Sequence, residues 1–403
     1  MELFWLEHKK LWRKKIVKIC VLLCFVYCVI FGSILSFQWF CFGSSDDYTS
    51  AFGNNFDGYT VIKDSQEYAL SFGGELTDET LQKIVSDYQQ MEADGMEKEL
   101  EKTDWQIVNS WLGTLYPELR DTSNYKTMIS YVDPDKLTGF YERRQQVLDE
   151  FLEVSGQVGA EKEFLHQIER KVEKPFRYEW VEGWSTLLGS MVADLGVVMA
   201  LFLGIVLSSL FAGEWHDNTS TLVLTTRNGW GKIALAKILT GLAFTVELFA
   251  LLAVSNVISQ LFFMGTAGWD MPIQNIKLIA VAPMNMLQAE IYEYAFVLLG
   301  AIGFAGIVMF ISAAVKNNVL TLLLSLAVVY GPMMIAEYLP YKMQKALDLI
   351  PLVGSSTDIF RTNTFRILGK LIWSPYLLIT IPVLIGILCM PFAIKSWSRR
   401  MKA

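Results

Sequence analysis

Residues 292–315 read YEYAFVLLGAIGFAGIVMFISAAV, with a single charge, Glu293, close to the start and glycines at 300, 303 and 306. A helix apolar on every side has no face to offer water. The run is long enough for a bilayer, whose hydrocarbon core needs about 20 such residues. Runs of the same kind occupy 16–42, 185–212, 233–264, 319–339 and 371–394. The 403-residue chain is 53% hydrophobic, and its mean hydropathy is positive although 19% of its residues are charged. The alternative, a very hydrophobic water-soluble core, would interleave polar and apolar positions; here the charge lies between the runs.

Other features suit six spanning helices. Trp12, Trp39, Phe40, Trp184, Trp215, Trp230, Trp269, Trp373 and Trp397 stand near run edges, where amphipathic rings favour the membrane interface. Gly196, Gly204, Gly300, Gly303 and Gly306 lie inside runs and allow close helix approach. The first run follows Lys9, Lys10, Arg13, Lys14, Lys15 and Lys18, as a signal peptide would. It exceeds the usual apolar core of about 7–15 residues and ends without a small-residue cleavage site, so it is read as a retained helix.

Six spans put both ends on one side. The basic start and the tail Lys395, Arg399, Arg400 and Lys402 place that side in the cytoplasm, as do Arg227, Lys232 and Lys316 in the loops 213–232 and 316–318. The segment 340–370 opposes this with Lys342, Lys345, Arg361, Arg366 and Lys370. Pro340, Pro351 and Gly354 break it, so short surface helices are expected there. The expected plan is a cytoplasmic helix and first span over 1–42, an extracellular domain over 43–184, five spans over 185–394, and a cytoplasmic tail over 395–403. The fold class is an all-α polytopic membrane protein with a mainly helical extracellular insertion.

The insertion carries 29 acidic and 14 basic side chains over 43–183, against −7 for the whole chain. This fits either plain solubility or attraction of cationic ligands. The cysteines Cys20, Cys24, Cys28, Cys41 and Cys389 all lie in or beside apolar runs, so the insertion holds by packing alone. The first three share a helix face, with no histidine or carboxylate to complete a metal site. Within the insertion, Thr77 is expected to cap a helix carrying Leu81, Ile84, Val85 and Tyr88. Thr103 and Gln106 form a capping-box pattern, Asp133-Pro134 opens a helix through Leu152, and a last helix covers 160–174. No nucleotide-binding glycine loop, H-E-x-x-H or G-x-S-x-G occurs.

The stretch after the second run reads FAGEWHDNTSTLVLTTRNGWGKIALAKIL over 211–239. It leaves a helix at Glu214, is expected to continue as a short semi-polar helix through Leu222, Val223 and Leu224, and turns at Asn228-Gly229 into the third run. Such a segment suits docking onto a soluble partner, and equally an ordinary connection between spans. The order of Glu214, Thr219, Leu222 to Leu224, Gly229 and Lys237 resembles the loop after span two in ABC-2-type transporter permeases of Gram-positive type. Asn218 replaces a usual Gly and Trp230 a usual Arg. The basic N-terminal helix Glu2 to Lys15, the six spans and the insertion after span one extend the resemblance to the membrane plan of the whole chain.

That resemblance implies a non-catalytic permease in membrane lipid that pairs with a second permease copy or a related permease and binds separate cytoplasmic ABC ATPase subunits, which carry ATP and Mg; no nucleic-acid partner is expected. The chain itself is expected to hold no cofactor and no metal. Glu214, Thr219, Leu222, Leu224, Gly229 and Lys237 would couple it to the ATPase. Export of an amphipathic peptide, drug or lipid-like molecule follows, as in antimicrobial peptide resistance. The alternative is a membrane sensor or immunity subunit signalling through an ATPase. Asp194 and Glu247 lie within apolar runs, Glu247 near the middle of its own. Such carboxylates mark a translocation path, or are neutralised or hydrogen-bonded groups that fix helix packing.

Overall fold

The computed structural model describes residues 2–29, 66–67, 69, 73–96, 105–121, 123–217, 219, 231–336, 338–353 and 362–399. The chain is mostly helical, with two short antiparallel strand pairs. It opens with α1 (Glu2–Arg13), lying on the bundle surface, and α2 (Lys15–Val29). Then come a head and a bundle of long apolar helices. The bundle consists of α8 (Val192–His216), α9 (Lys232–Met264), α10 (Met286–Val315), α11 (Asn318–Ala336) and α13 (Ser374–Arg399).

All five bundle helices are long and apolar enough to cross a membrane. The protein is therefore a multi-span helical membrane protein. The first apolar run, expected over 16–42, is described only through residue 29. Cys20 and Cys24 of that part are buried against the bundle core.

The central helix is α10, packed against α13, α8, α9 and α11. Its glycine spacing explains how it holds that position. A Cβ on Gly303 would stand 2.3 Å from the Pro382 carbonyl oxygen of α13, and one on Gly306 would stand 2.4 Å from the Gly386 oxygen. Two backbones therefore touch with no side chain between them, which is how membrane helices gain van der Waals contact in a solvent as apolar as themselves. Gly300 faces Leu352, Gly204 faces Leu322 and Leu326, and Gly196 has open space around it. The same small-residue rule therefore applies at some of these glycines and not at others.

The head is built from β1 (Gly74–Glu75), α3 (Asp78–Ala93), α4 (Trp105–Leu115), α5 (Phe140–Val154), α6 (Ala160–Glu169) and β2 (Arg177–Tyr178), with β1 and β2 antiparallel. Thr77 caps α3 by accepting from the Thr80 amide. Asp133-Pro134 does not open the long helix: Asp133 caps only a 3-10 turn over Pro134–Lys136. The chain then passes through Gly139 in the left-handed region, φ 72°, and α5 starts at Phe140. Both amides at that start donate to Asp78, which caps α5 from the first turn of α3. A tertiary carboxylate displaces the local Asp-Pro signal. The last helix stops at Glu169 rather than 174, because Val172 turns back into the head core. Thr103 of the expected capping box lies outside the described residues.

The head is not confined to the insertion. The loop 265–285 between α9 and α10 enters it, and Leu278 joins the core formed by Leu81, Trp111, Leu112, Phe140 and Phe176. The Trp111 indole donates to the Asn275 carbonyl oxygen at 3.0 Å, and the Asn275 amide donates to the Arg177 carbonyl oxygen at 2.9 Å. A second cluster joins Leu148, Leu152 and Leu165 to Met286, Ala289 and Trp373, fusing head to bundle. Between β2 and α8, the helix α7 (Glu182–Thr186) and a π turn over Leu187–Met191 carry the chain down into the bundle. The segment 340–370 contains α12 (Tyr341–Leu347), as expected of a surface helix. It also contains β3 (Thr364–Ile367), which pairs antiparallel with β4 (Lys370–Trp373), a hairpin the reading of helices alone passed over.

Arg144 fastens this arrangement. It is fully buried, and its guanidinium donates to Glu169 at 2.6 Å and to the carbonyl oxygens of Leu278 at 2.7 Å and Ala280 at 3.1 Å. Lys174 adds a second cation to Glu169 at 2.8 Å. Burial would push the Glu169 carboxyl up, but bonds and charge from Lys174 and Arg144 outweigh it and hold the group below its ordinary 4.5. A carboxyl depressed on folding adds stability above its unfolded value and loses it as pH falls through the folded one. Acid below about pH 4.5 should therefore loosen the contact between α5, α6 and the 278–280 loop. We expect hydrogen exchange at 274–282 to rise in that range in the native chain. In Glu169→Gln it should already be raised at neutral pH, with no further acid step. A wild-type acid step retained by that variant would assign it to another group.

Candidate functional site

At the end of the bundle opposite the head, α1 lies across the junction of α8 and α9. The three helices are tied by ions rather than by apolar packing alone. Glu214, in the last turn of α8, is 3% exposed; Lys237, in the second turn of α9, is 1% exposed. Lys237 Nζ donates to Glu214 Oε1 at 2.8 Å and to Glu7 Oε2 at 2.7 Å. Lys10 Nζ reaches the same Glu214 oxygen at 2.6 Å, and Lys14 Nζ donates to Ser209 Oγ at 2.9 Å. Thr219 closes the arrangement, its hydroxyl donating to Glu214 Oε2 and its amide to the Glu214 carbonyl oxygen. A narrow crevice of about 20 Å³ runs between Glu7, Lys10, Lys14, Gly213, Asp217 and Lys237.

The surroundings shift the titration of Lys10 and Lys14 in opposite directions. Burial pulls Lys10 down, yet its bond to Glu214 and the charges of Glu214, Glu7 and Asp217 leave it raised overall. Lys14 is lowered, first by burial and then by the neighbouring ammoniums of Lys237 and Lys10. The knot thus sets three ammoniums, Lys10, Lys14 and Lys237, against three carboxylates, Glu7, Glu214 and Asp217.

Helical spacing brings these groups together. Glu7 and Lys10 share one face of α1, and Lys14 follows four residues on, at the bend between α1 and α2. Glu214 is three residues before the last described residue of α8 and its turn, and Lys237 is in the second turn of α9, so the two stand on either side of residues 218–230 in sequence. Of the expected coupling residues, Glu214, Thr219 and Lys237 meet here. Leu222, Leu224 and Gly229 lie outside the described residues.

Glu247 belongs to the same surface. Its carboxylate accepts from the Trp12 indole at 3.0 Å and lies 3.2 Å from His8 Nε2, both on α1. Trp12 also packs edge-on against Phe244, with ring centroids 5.7 Å apart. Glu247 is therefore a group bonded to a surface helix, the geometry of a packing contact. The backbone of Asp194 lies in the first turn of α8, and its side chain is outside the described residues. Glu290 and Glu293, beside Tyr292, are buried in the first turns of α10.

Sequence reading missed Glu7, His8, Lys10 and Lys14 as members of the site. An acid inside a basic amphipathic helix, spaced to share a face with a lysine, was the available signal. Around the knot, Lys316 sits over the Trp215 ring at 4.2 Å, and Trp215 and Trp397 lie 6.1 Å apart. The turn between α10 and α11 and the end of α13 therefore share this end of the bundle. Among the described residues, no group of three His, Cys, Asp and Glu side chains could hold a metal ion. Comparison of the chain with protein-family models, with curated proteins and with solved structures gave no match.

Proposed function

We propose that this chain is the membrane permease subunit of an ATP-driven ABC transporter, exporting an amphipathic peptide, drug or lipid-like molecule. Six spans, cytoplasmic termini and an extracellular head belong to this proposal, as do a second permease copy and a separate ATPase. The observation that supports it best is the knot of Glu214, Thr219, Lys237, Glu7 and Lys10, which fixes both ends of the loop 218–230 to one buried ion network. A loop so tied would pass a push from a docked partner to α1, α8 and α9 together. A freely hanging loop would absorb the push instead.

Depth supports the same reading. The 33 residues of α9 run about 50 Å, against roughly 30 Å of hydrocarbon. Surplus length is available on the side of α1, whose Lys9, Lys10 and Arg13 belong at a polar interface. Bonded to α1, Glu247 would then lie toward that interface.

The test is purification of the full chain from native membranes in mild detergent, with identification of co-purifying P-loop ATPases. We expect one ATPase in stoichiometric yield, and at least a fivefold lower yield with Glu214→Ala while the membrane content of the chain is maintained. Equal recovery with the variant, or no ATPase with the native chain, would reject the coupling role. Substrate-stimulated hydrolysis without movement into vesicles would favour a sensor over an exporter.

A further inference from the structure

The hairpin β3–β4 turns at Leu368-Gly369, both in the left-handed region with φ of 49° and 80°. Two successive positive φ values make the tight hairpin turn that Asn-Gly or Asp-Gly forms with least strain. Leucine is a poor choice there on two counts. Its Cβ disfavours the left-handed region, and its side chain is 99% exposed. In water, asparagine would serve better on both. An apolar residue held at a strained, fully exposed tip is explained if the tip does not face water.

Its surroundings agree. Ile367 is also exposed, and Arg366 and Lys370 flank the pair. Thr364 and Arg366 bond to Gln157 and Glu161, each at 2.7 Å, which brings the α5–α6 turn alongside. That turn presents Val154, 89% exposed, and Val158, 56% exposed. On the other side Lys345 of α12 lies over the Phe365 ring at 4.4 Å. Next to α12, Tyr338 and the end of the spanning helix α11 expose Met334 and Ile335. The strand β4 runs without a linker into α13, a spanning helix that begins at Ser374. The patch is therefore continuous with the lipid-facing rim of the bundle. Over 340–370 the sequence holds five basic residues and two acidic ones, whereas the rest of the head is strongly acidic.

We infer that the hairpin tip Ile367-Leu368, with Val154 and Val158, is a lipid-docking surface that enters the head-side leaflet. Arg366 and Lys370 then meet anionic phosphate headgroups there. Apolar tips bracketed by cations bind bilayers by this combination of burial and charge. The anchor would hold the head against the membrane beside α13 and α11, and it accounts for cations on the side where the positive-inside pattern does not call for them.

The experiment uses the full chain in nanodiscs of equal parts phosphatidylcholine and phosphatidylglycerol. The photo-reactive residue benzoylphenylalanine is placed at 368 or, in a second variant that leaves the hairpin intact, at 154. We expect lipid adducts from both positions after irradiation, with phosphatidylglycerol exceeding its half share. Lys370→Glu should return the adduct to the bulk lipid ratio. Cross-links to a second copy of the chain at both positions would identify a protein interface instead. Failure to react with either lipid or protein would show a tip in water. Either result overturns the inference.

Discussion

Replacing Gly303 by alanine should collapse the helix crossing at the centre of the bundle. The added Cβ would lie 2.3 Å from the Pro382 carbonyl oxygen and 2.7 Å from its carbon. Overpacking a core with flexible side chains typically costs about 1–3 kcal/mol. Here the obstacle is backbone on both sides, so no rotamer can yield, and α10 and α13 must separate. Gly386 meets the same limit from the other helix, its Cβ falling 2.5 Å from the Gly303 Cα. We therefore expect more than about 3 kcal/mol of destabilisation, read as loss of the monodisperse peak on gentle heating in detergent. Gly196→Ala is the control. Nothing lies within 4 Å of its Cβ position, and removing a helical glycine should stabilise by up to about 1 kcal/mol. Equal behaviour of the two variants would refute the crossing.

The second large effect is expected at Lys237. Methionine there has similar length but no charge, and it leaves Glu214 buried with the Thr219 hydroxyl and, as its cation, the peripheral Lys10, while Glu7 loses its partner at 2.7 Å. Removing one member of a buried ion network typically costs about 3–5 kcal/mol. The loss should appear as a lower melting temperature and as faster hydrogen exchange across α1, which the knot holds to α8 and α9. The double variant Glu214→Gln, Lys237→Met should recover at least half of it, because the stranded charge goes with its partner. High salt should reproduce little of the effect, since ions screen exposed pairs far more than buried ones. A double variant as unstable as the single one would mean that Lys237 acts by shape rather than by charge.

How far the sequence foretold this protein depended on the range of the forces involved. Spanning helices were legible because their signal is local: a run such as 292–315 needs no partner to be recognised as apolar. The α3 cap at Thr77 was legible for the same reason. The α5 start was not, since Asp133-Pro134 gave a valid local signal and Asp78, more than fifty residues away, overrode it. Glu214, Thr219 and Lys237 were singled out by the order of residues around one loop. Glu7 and Lys10 were not, because only folding shows that α1 crosses that loop's two ends. Glu247 was singled out by its depth along the run, which could not show the bonds it makes to His8 and Trp12.

The division of the head among distant stretches of chain bears on how the protein is made. Trp111, Arg144 and Phe140 emerge from the ribosome well before Asn275, Leu278 and Ala280, and α8 and α9 are synthesised between them. Until those two helices have threaded the bilayer as a pair, the early segment lacks the carbonyls that Arg144 needs and part of its own interior. Maturation of the head thus waits on correct insertion of the helices that follow it. A chain whose α8 or α9 failed to insert would display an unfinished, protease-sensitive surface to quality control.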